Sequence, residues 1–410
     1  MPRPKSRTPA LIGVLVLLAL IAVGVFGKRA LDSRQRLALR SQSVATLEGR
    51  VKDQPNNLEM RYALGLAYAR EERYPDAVRE FLALLEKDPV RPDVLNDLGV
   101  AYLLQRRHYE SLVSLQGALR ADPNFASAYA NLGRLHIATQ MPFTAVRELE
   151  KATQLQKPTV SDLCDLGQAY QRTLNYKSAE KVYKQALAID PKSAIAYTGL
   201  GQTFYSMTNY EESEKALKSA IALSPEDTIT QISLARLYVE RAKSGEETQE
   251  AERMLLGVTK SDPNDPEGWY QLGKLYTRGG KNPEALEMQT RALRLNSSHM
   301  GAMHQLALCL RAVGRTADAD RLAKIHQDRA MQERKLNQLE ERLSRVPNDW
   351  DALGDLAEIY LQTGKSDLAT LLVRRMQNEK PDHPKMPKLL MMLRPSKTET
   401  MSPSLGGGRP

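Results

Sequence analysis

Histidine is the side chain most often used in acid–base catalysis, and it is also a frequent metal ligand. The histidines of this chain do not form the His-Glu-x-x-His pattern, which places two zinc ligands on one helical face. His299 and His304 are five residues apart, whereas residues three or four apart share a helical face. We therefore predict structural histidines and no metal site. The six are His108, His136, His299, His304, His326 and His383.

The cysteine and glycine patterns also argue against a metal site or a catalytic site. Cys164 and Cys309 are the only cysteines and lie far apart, so the chain has neither a disulfide framework nor a Cys-x-x-Cys motif. Gly-x-Ser-x-Gly, P-loop and dinucleotide-binding glycine motifs do not occur. We predict that the protein is not an enzyme and that it uses no cofactor and no small-molecule substrate.

The charge distribution argues against nucleic acid as a partner, although the formal net charge is +9. Residues 1–57 hold ten Lys/Arg against three Asp/Glu, and residues 385–410 hold five against one. The chain between them holds 43 basic and 45 acidic residues and is nearly neutral. Proteins that bind phosphate backbones need concentrated positive charge. The sequence therefore predicts no nucleic-acid partner.

The most informative feature is a short pattern that recurs. In NDLGVAY, Asn96–Tyr102, a Leu-Gly pair is followed by a tyrosine three residues after the glycine. With Leu58 as position 1 of a 34-residue frame, the Leu-Gly pair falls at positions 7 and 8 of successive units. Tyrosine recurs at position 11, alanine at 20, a large residue at 24 and proline at 32. The glycines at position 8 are Gly65, Gly99, Gly133, Gly167, Gly201 and Gly273.

These residues resemble the tetratricopeptide repeat family, whose 34-residue unit is a helix-turn-helix. The resemblance covers residues 58–384 and implies an all-α fold, an alpha-alpha superhelix of about nine helix pairs. His136 stands where most units have tyrosine. The predicted units are 58–91, 92–125, 126–159, 160–193, 194–227, 228–265, 266–299, an expanded unit 300–349, and 350–384.

Helix-pair stacking gives a physical reason for each residue type. A small residue at position 8 lets the two helices of a pair approach closely, and alanines at positions 20 and 27 form the facing surface. Large residues at positions 7, 11 and 24 fill the layer between pairs, because one pair alone cannot bury its apolar face. Proline near position 32, as in Asp88-Pro89, ends the second helix.

The resemblance also implies a binding surface. In this family the first helices line the concave side, where members bind extended peptides or partner helices. Here the corresponding positions carry mixed polar side chains, which suit hydrogen bonding to a polypeptide. An ordinary solvated helix face has the same composition, so that alternative stays open. The residues predicted to contact a protein partner are Asn96, Asp97, Asn131, Arg134, Asp165, Gln168, Arg172, Gln202, Tyr205, Arg236 and Lys274.

The N-terminal region predicts a membrane anchor. Residues 1–8 form a basic tail, and residues 9–27, PALIGVLVLLALIAVGVFG, are uncharged and long enough to cross a bilayer as a helix. We expect an uncleaved transmembrane signal anchor, with a cleaved secretion signal as the alternative. Basic residues flank the segment almost equally, which leaves its orientation open. The expectation is a single-pass membrane protein with its large domain outside the cytoplasm, in a bacterial periplasm.

Four further segments adjoin the repeats. Residues 28–57 are typical of a basic helical connector. From Ala317 to Arg345 the pattern predicts one long helix, either a solvated extension packed on the stack or a coiled-coil arm for a partner. Residues 385–393 predict a short capping segment over the last repeat. Residues 394–410 have the composition of a disordered tail.

These features predict a membrane-anchored scaffold or adaptor that binds protein partners in a concave groove and has no catalytic activity of its own. The alternative is a regulatory or substrate-recruiting subunit of a cell-envelope enzyme or assembly machine. One clamp known in the family is excluded. That clamp binds acidic C-termini through Lys and Asn at positions 5 and 9 of its first unit, where this chain has Tyr62 and Leu66.

Overall fold

The computed structural model describes residues 38–39, 41–241 and 244–393. This part of the chain forms twenty helices and no strand, which confirms the all-α prediction for it. None of these helices combines the length and the apolar character that a membrane span requires. The predicted basic tail and anchor, residues 1–27, and the predicted C-terminal tail, residues 394–410, lie outside the described residues.

The helices follow one another as pairs, preceded by α1 (Val44–Asp53) and followed by α20 (Met386–Leu393). The pairs are α2 (Leu58–Arg70) with α3 (Tyr74–Leu85), α4 (Pro92–Leu104) with α5 (His108–Ala121), α6 (Ala126–Ala138) with α7 (Pro142–Leu155), α8 (Val160–Arg172) with α9 (Tyr176–Ile189), α10 (Ala194–Ser206) with α11 (Tyr210–Leu223), α12 (Thr228–Arg241) with α13 (Gly245–Ser261), α14 (Pro266–Arg278) with α15 (Asn282–Leu295), α16 (Met300–Ala312) with α17 (Thr316–Arg345), and α18 (Trp350–Gln362) with α19 (Ser366–Glu379).

The chain divides into two compact units, the first ending at Ala128 and the second beginning at Tyr129, within α6. In the first unit, α1 packs on α2 and buries Leu47 completely. The core of this unit continues through Phe81 to Tyr102. The helical part of the predicted connector therefore covers the exposed side of the first pair.

Six of the nine pairs have glycine at position 8, and each of these glycines faces the residue at position 24. A Cβ added to Gly167 would lie 2.5 Å from the ring of Tyr183, and one added to Gly133 would lie 2.4 Å from Leu149. The Tyr183 ring is also enclosed from the other side, because a Cβ on Gly199 would lie 2.2 Å from it. Real Cβ atoms do not approach so closely, so the glycines are needed for this packing. Gly199 lies at position 6 of its unit, so the recurring glycine at position 8 does not identify it.

The turn between the two helices of a pair has one conformation throughout the described turns. A single residue at position 15 adopts positive φ, such as Leu174 at 60° and Gly280 at 73°. Residues with a Cβ rarely adopt this conformation. The seventh, eighth and ninth pairs use glycine at this position, and the first five use other residues.

In the second unit, the first helices lie on the inside of the curve. α8 contacts α10, α10 contacts α12, α12 contacts α14 and α14 contacts α16. Successive second helices make no comparable contact among the described residues. Helices that lie closer together define the inner radius of a curved stack. We call this row of first helices, α8, α10, α12, α14 and α16, the inner face.

The predicted long helix is α17, which has 30 residues where α15 has 14. Its C-terminal end is not a solvated extension, so that interpretation is wrong for this part. Leu339 and Leu343 are buried in one apolar cluster with residues of the ninth pair, such as Leu353, and with Met141 of the third pair. The three-four spacing of leucines produces an apolar stripe, and the fold buries that stripe on its own chain. Val346, which follows the last residue of α17, is exposed.

The last helix, α20, packs on both α18 and α19. Met386 and Leu389 are buried in the same apolar cluster as the ninth pair. A final pair has no successor to cover its apolar side, so a covering helix removes that surface from water.

His136 lies in the third pair, and its Nδ1 is buried without a hydrogen-bond partner among the described residues. Burial lowers the pKa of His136 to about 3, and the charges of Arg147 and Arg375 lower it further. The unfolded chain takes up a proton near pH 6.5, and the folded chain does not. The stability that the neutral His136 contributes is therefore lost as the pH falls below about 6.5.

The close packing of Gly167 predicts that Gly167→Ala destabilises the protein by about 1–3 kcal/mol, because Tyr183 has no room to move. Gly257→Ala is the matched control. Gly257 is helical and has nothing within 4 Å of the added Cβ, so this change should raise stability by up to about 1 kcal/mol. Urea unfolding followed by circular dichroism measures both. Equal effects of the two changes would contradict the packing argument.

For His136, we expect the free energy of unfolding to fall by up to about 2 kcal/mol more in the wild type than in His136→Gln between pH 7 and pH 5. Glutamine is neutral throughout this range, so the difference isolates the imidazole. Chemical unfolding at a series of pH values tests this. Parallel pH profiles for the two proteins would show that His136 is solvated in the folded chain.

Candidate functional site

The predicted contact residues of the first unit lie on α4. Asn96 is buried, with 6% of its surface exposed. Asp97 accepts a hydrogen bond from the Tyr62 hydroxyl at 2.6 Å and another from the Asn96 amide at 3.0 Å. Tyr62 belongs to α2, so this carboxylate joins the first helices of two successive pairs. The structure thus gives Asn96 and Asp97 a role in packing the repeats.

Arg134 is the centre of a similar connection in the second unit. From α6, its Nε donates to Asp165 Oδ2 at 2.6 Å and its Nη1 donates to Asn131 Oδ1 at 2.8 Å. Its Nη2 forms an ion pair with Asp162 at 3.2 Å. Burial raises the pKa of Asp165, although Arg134 opposes this. Asn131 itself is buried.

The other predicted residues of α8 differ in their contacts. Arg172 donates from Nη1 to the Ile137 carbonyl at 3.0 Å. Gln168 is exposed on the inner face. Their neighbour Gln171 donates from Nε2 to the Gly199 carbonyl and to Thr203 Oγ1, both at 2.9 Å. Gln171 occupies position 12 of its unit, which also faces the groove in this family, and the structure shows that it links α8 to α10.

On α10, α12 and α14, the pattern of links between neighbouring first helices continues. Gln202 donates to Ser233 Oγ at 2.9 Å. Lys274 donates to Glu240 at 2.6 Å, and this ion pair lowers the pKa of Glu240. These side chains are half-buried. Several predicted contact residues are therefore already bound to side chains of the neighbouring pair.

Arg236 on α12 is different. Its guanidinium carbon lies 4.4 Å from the centre of the Tyr205 ring on α10, which is the geometry of a cation–π contact. Its Nε is buried and lacks a hydrogen-bond partner within the described chain. Arg236 also forms no ion pair there, whereas Arg134 and Lys274 each pair with a carboxylate.

More aromatic and acidic groups surround Arg236. Burial acts to raise the pKa of Glu267, but the hydrogen bonds from His299 and Gln271 lower it, and the charge of Arg236 adds to this effect. The same charge opposes the rise that burial causes in the pKa of Tyr270. Glu267 also accepts from His299 Nε2 at 3.0 Å. Tyr270 lies at position 5 of its unit, a position that faces the groove in this family, so the frame contained the signal that identifies it. We call Tyr205, Arg236 and Tyr270 the Arg236 cluster.

The arrangement suits binding to a polypeptide. It offers an aromatic surface and a positively charged hydrogen-bond donor in a partly buried position. Among the described residues, no group of three or more His, Cys, Asp or Glu side chains is arranged to hold a metal ion.

Comparison with family models agrees with the repeat frame. A tetratricopeptide repeat model matches residues 62–124 and 234–299, a TPR repeat model matches residues 175–208, and a second tetratricopeptide repeat model matches residues 194–227. No curated protein sequence matches the chain.

Solved structures of tetratricopeptide repeat proteins also match the chain at low sequence identity. A tetratricopeptide repeat protein from Parabacteroides merdae ATCC 43184 has a TM-score of 0.51 and 19% identity, over 62% of this chain and 98% of that one. YrrB, described as a TPR protein with an unusual peptide-binding site, has a TM-score of 0.33 and 17% identity, over 55% and 96%. PilW, described as a type IV pilus biogenesis factor, has a TM-score of 0.36 and 17% identity, over 56% and 98%. The family models that match residues 62–124, 175–227 and 234–299 identify tetratricopeptide repeats in this chain, in agreement with its helix pairs and glycine packing.

Proposed function

We propose that the protein is a scaffold or adaptor that binds a polypeptide partner on the inner face of its second unit, without catalytic activity of its own. The Arg236 cluster carries the proposal. A stacked arginine whose guanidinium has no carboxylate partner among the described residues retains donors for an incoming acceptor. The repeat fold supports the same function, because stacked helix pairs form extended binding surfaces.

The chemistry of the cluster indicates what it would recognise. A polypeptide brings carbonyl and carboxylate oxygens, both of which accept from a guanidinium. Tyr205 and Tyr270 supply rigid surface at low cost in side-chain entropy, and interface hot spots are enriched in tyrosine and arginine. The links through Arg134, Gln171 and Lys274 hold the helices beside the cluster in a fixed arrangement. A preorganised surface loses less conformational entropy when it binds.

We propose further that residues 9–27 anchor this scaffold in a membrane, with the repeats outside the cytoplasm. The support is the uncharged, apolar segment preceded by Arg3, Lys5 and Arg7. An anchor of this kind confines the scaffold to the membrane surface. Partners held by the inner face would then be gathered at the membrane.

The binding proposal predicts that Arg236→Gln weakens partner binding by roughly tenfold to a hundredfold, because the charged donor is lost. The partner is first identified by a photo-crosslinking residue placed at position 168 of the full chain, and its dissociation constant is then measured. Arg253→Gln is the matched control, since Arg253 is exposed on the second helix α13 and pairs with Glu250 on that same helix.

If Arg236→Gln binds the partner as strongly as the wild type and has the same helical content, the Arg236 cluster is not part of the binding site. Crosslinking from position 253 and not from position 168 would move the site to the second helices.

The anchor proposal predicts that the full chain stays with the membranes during alkaline carbonate extraction, because a bilayer-spanning helix is not released by charge screening or high pH. Deletion of residues 1–27 should release the protein. Deletion of residues 394–410 is the control and should not. Release of the full chain, or retention of the chain without residues 1–27, would contradict the anchor. Immunoblotting of the two fractions gives the result.

A further inference from the structure

The end of α17 makes a contact that the stacking of neighbouring pairs does not require. Glu340 lies almost two hundred residues after α7, yet its carboxylate accepts from the Phe143 amide at 2.8 Å and from the Thr144 amide at 2.9 Å. Arg147 of α7 donates in return to the Ser344 carbonyl at 2.7 Å. The first amides of a helix have no partner within that helix. Here a distant carboxylate supplies one.

Two further contacts join the same elements. Met141, just before α7, is buried with Leu339 and Leu343 of α17. Lys365, in the turn between α18 and α19, donates to Gln140 Oε1 at 2.6 Å. The contact therefore involves the eighth and ninth pairs on one side and the turn of the third pair on the other. We call it the α17–α7 contact.

This contact closes the second unit. From the third pair to the ninth, each pair contacts the next, and the α17–α7 contact joins the end of this series to its beginning. The first helices lie on the inside, so the closed series surrounds the inner face. The extended length of α17 makes the connection, because a second helix of ordinary length ends before Glu340.

The contact combines the hydrogen bonds of Glu340 with the burial of Met141, Leu339 and Leu343 in one apolar cluster. Glu340 is 2% exposed and has no ion pair among the described residues. Burial raises the pKa of Glu340, and the hydrogen bonds from Thr144 and Phe143 oppose this. When the contact separates, its carboxylate and amides are hydrated by water, which offsets much of their loss. The apolar layers between successive pairs have no such compensation.

We propose that the α17–α7 contact is a reversible latch that controls access to the inner face. With the latch closed, a polypeptide reaches the inner face only from the ends of the closed series. With the latch open, a bulky partner enters from the side. The proposed role in access rests on the binding function proposed above, whereas the opening itself is a property of the protein without any partner. Apart from the α17–α7 contact, each pair in the described chain contacts only its neighbours. Small rotations at the interfaces between successive pairs therefore add up, and together they can separate α17 from α7.

Amide hydrogen exchange of the full chain tests the opening directly and needs no partner. The Phe143 and Thr144 amides should be protected in the wild type, but should exchange faster than amides in the middle of α9, because the latch opens without global unfolding. In Glu340→Gln their exchange should rise by about tenfold or more, since a charged acceptor is lost. The control is Glu341→Gln, because Glu341 pairs with Arg345 on the same helix.

Glu284 provides a reference inside the same protein. It occupies the position in α15 that Thr144 occupies in α7, and no acceptor faces its amide among the described residues. Its exchange should be fast and equal in the wild type and in both variants. Exchange of the Thr144 amide as fast as that of Glu284 in the wild type would show that the contact does not form in solution. Exchange of the Thr144 amide only through global unfolding would show that the latch does not open.

Access is measured with Gln168→Cys, which places a thiol at an exposed site on the inner face. Cys164 and Cys309 are buried, and burial raises the pKa of Cys164 to about 11, so both should react slowly. Adding Glu340→Gln should speed the reaction with a polyethylene-glycol maleimide of several kilodaltons by about tenfold. The reaction with N-ethylmaleimide should change less than about twofold, because a small reagent enters the closed form as well.

Glu340→Gln could leave the ratio of the polyethylene-glycol maleimide rate to the N-ethylmaleimide rate unchanged and still speed exchange of the Thr144 amide. That result would show that the latch opens without controlling access. That outcome overturns the access role and leaves the binding proposal standing. Loss of binding in Arg236→Gln with an unchanged latch is the separate test of the binding function. The two proposals therefore fail in different experiments.

Discussion

The fold depends on the contact between the small residue at position 8, which is glycine in six of the nine pairs, and the side chain at position 24. The distances around Gly167 and Tyr183 leave no room for even a methyl group. Close approach of the two helices lets the apolar layers between pairs interlock, since one pair alone cannot bury its own apolar face. A packing rule within each unit thereby sets the curvature of a stack of units, and the curvature brings the first helices together.

The curvature gives polar residues of the first helices two kinds of role. Where the helices are close, side chains such as Arg134 and Lys274 reach a carboxylate on the next helix and bind it. Such links give half-buried charged groups a hydrogen-bond partner of opposite charge, and they fix the spacing between the helices. Arg236 lies in the same row but stacks on an aromatic ring and has no carboxylate partner in the part of the chain that the structure describes. The proposed binding site therefore lies where the ladder of links is interrupted.

The sequence predicted the repeat frame and the all-α fold because each depends on spacing within 34 residues. The pattern of Gly133, Gly167 and Gly201 is sufficient to identify the packing. The candidate site was predicted less completely. Position in the frame identifies residues such as Asp97 as facing the groove, but it does not show that the hydroxyl of Tyr62 already binds that carboxylate. Such pairing depends on side-chain reach between units, which the frame does not encode.

The long helix shows a further limit of arguments from periodicity. The leucine stripe of α17 is buried partly by residues that follow it closely in the sequence, such as Leu353 of the ninth pair. The rest of the contact is with the turn before α7, almost two hundred residues earlier, which is reached only because seven curved pairs bring the two ends together. A repeat protein specifies its neighbouring contacts locally and its distant contacts through accumulated curvature. The hydrogen bond between the Glu340 carboxylate and the Phe143 amide therefore depends on the geometry of every pair that lies between these two residues.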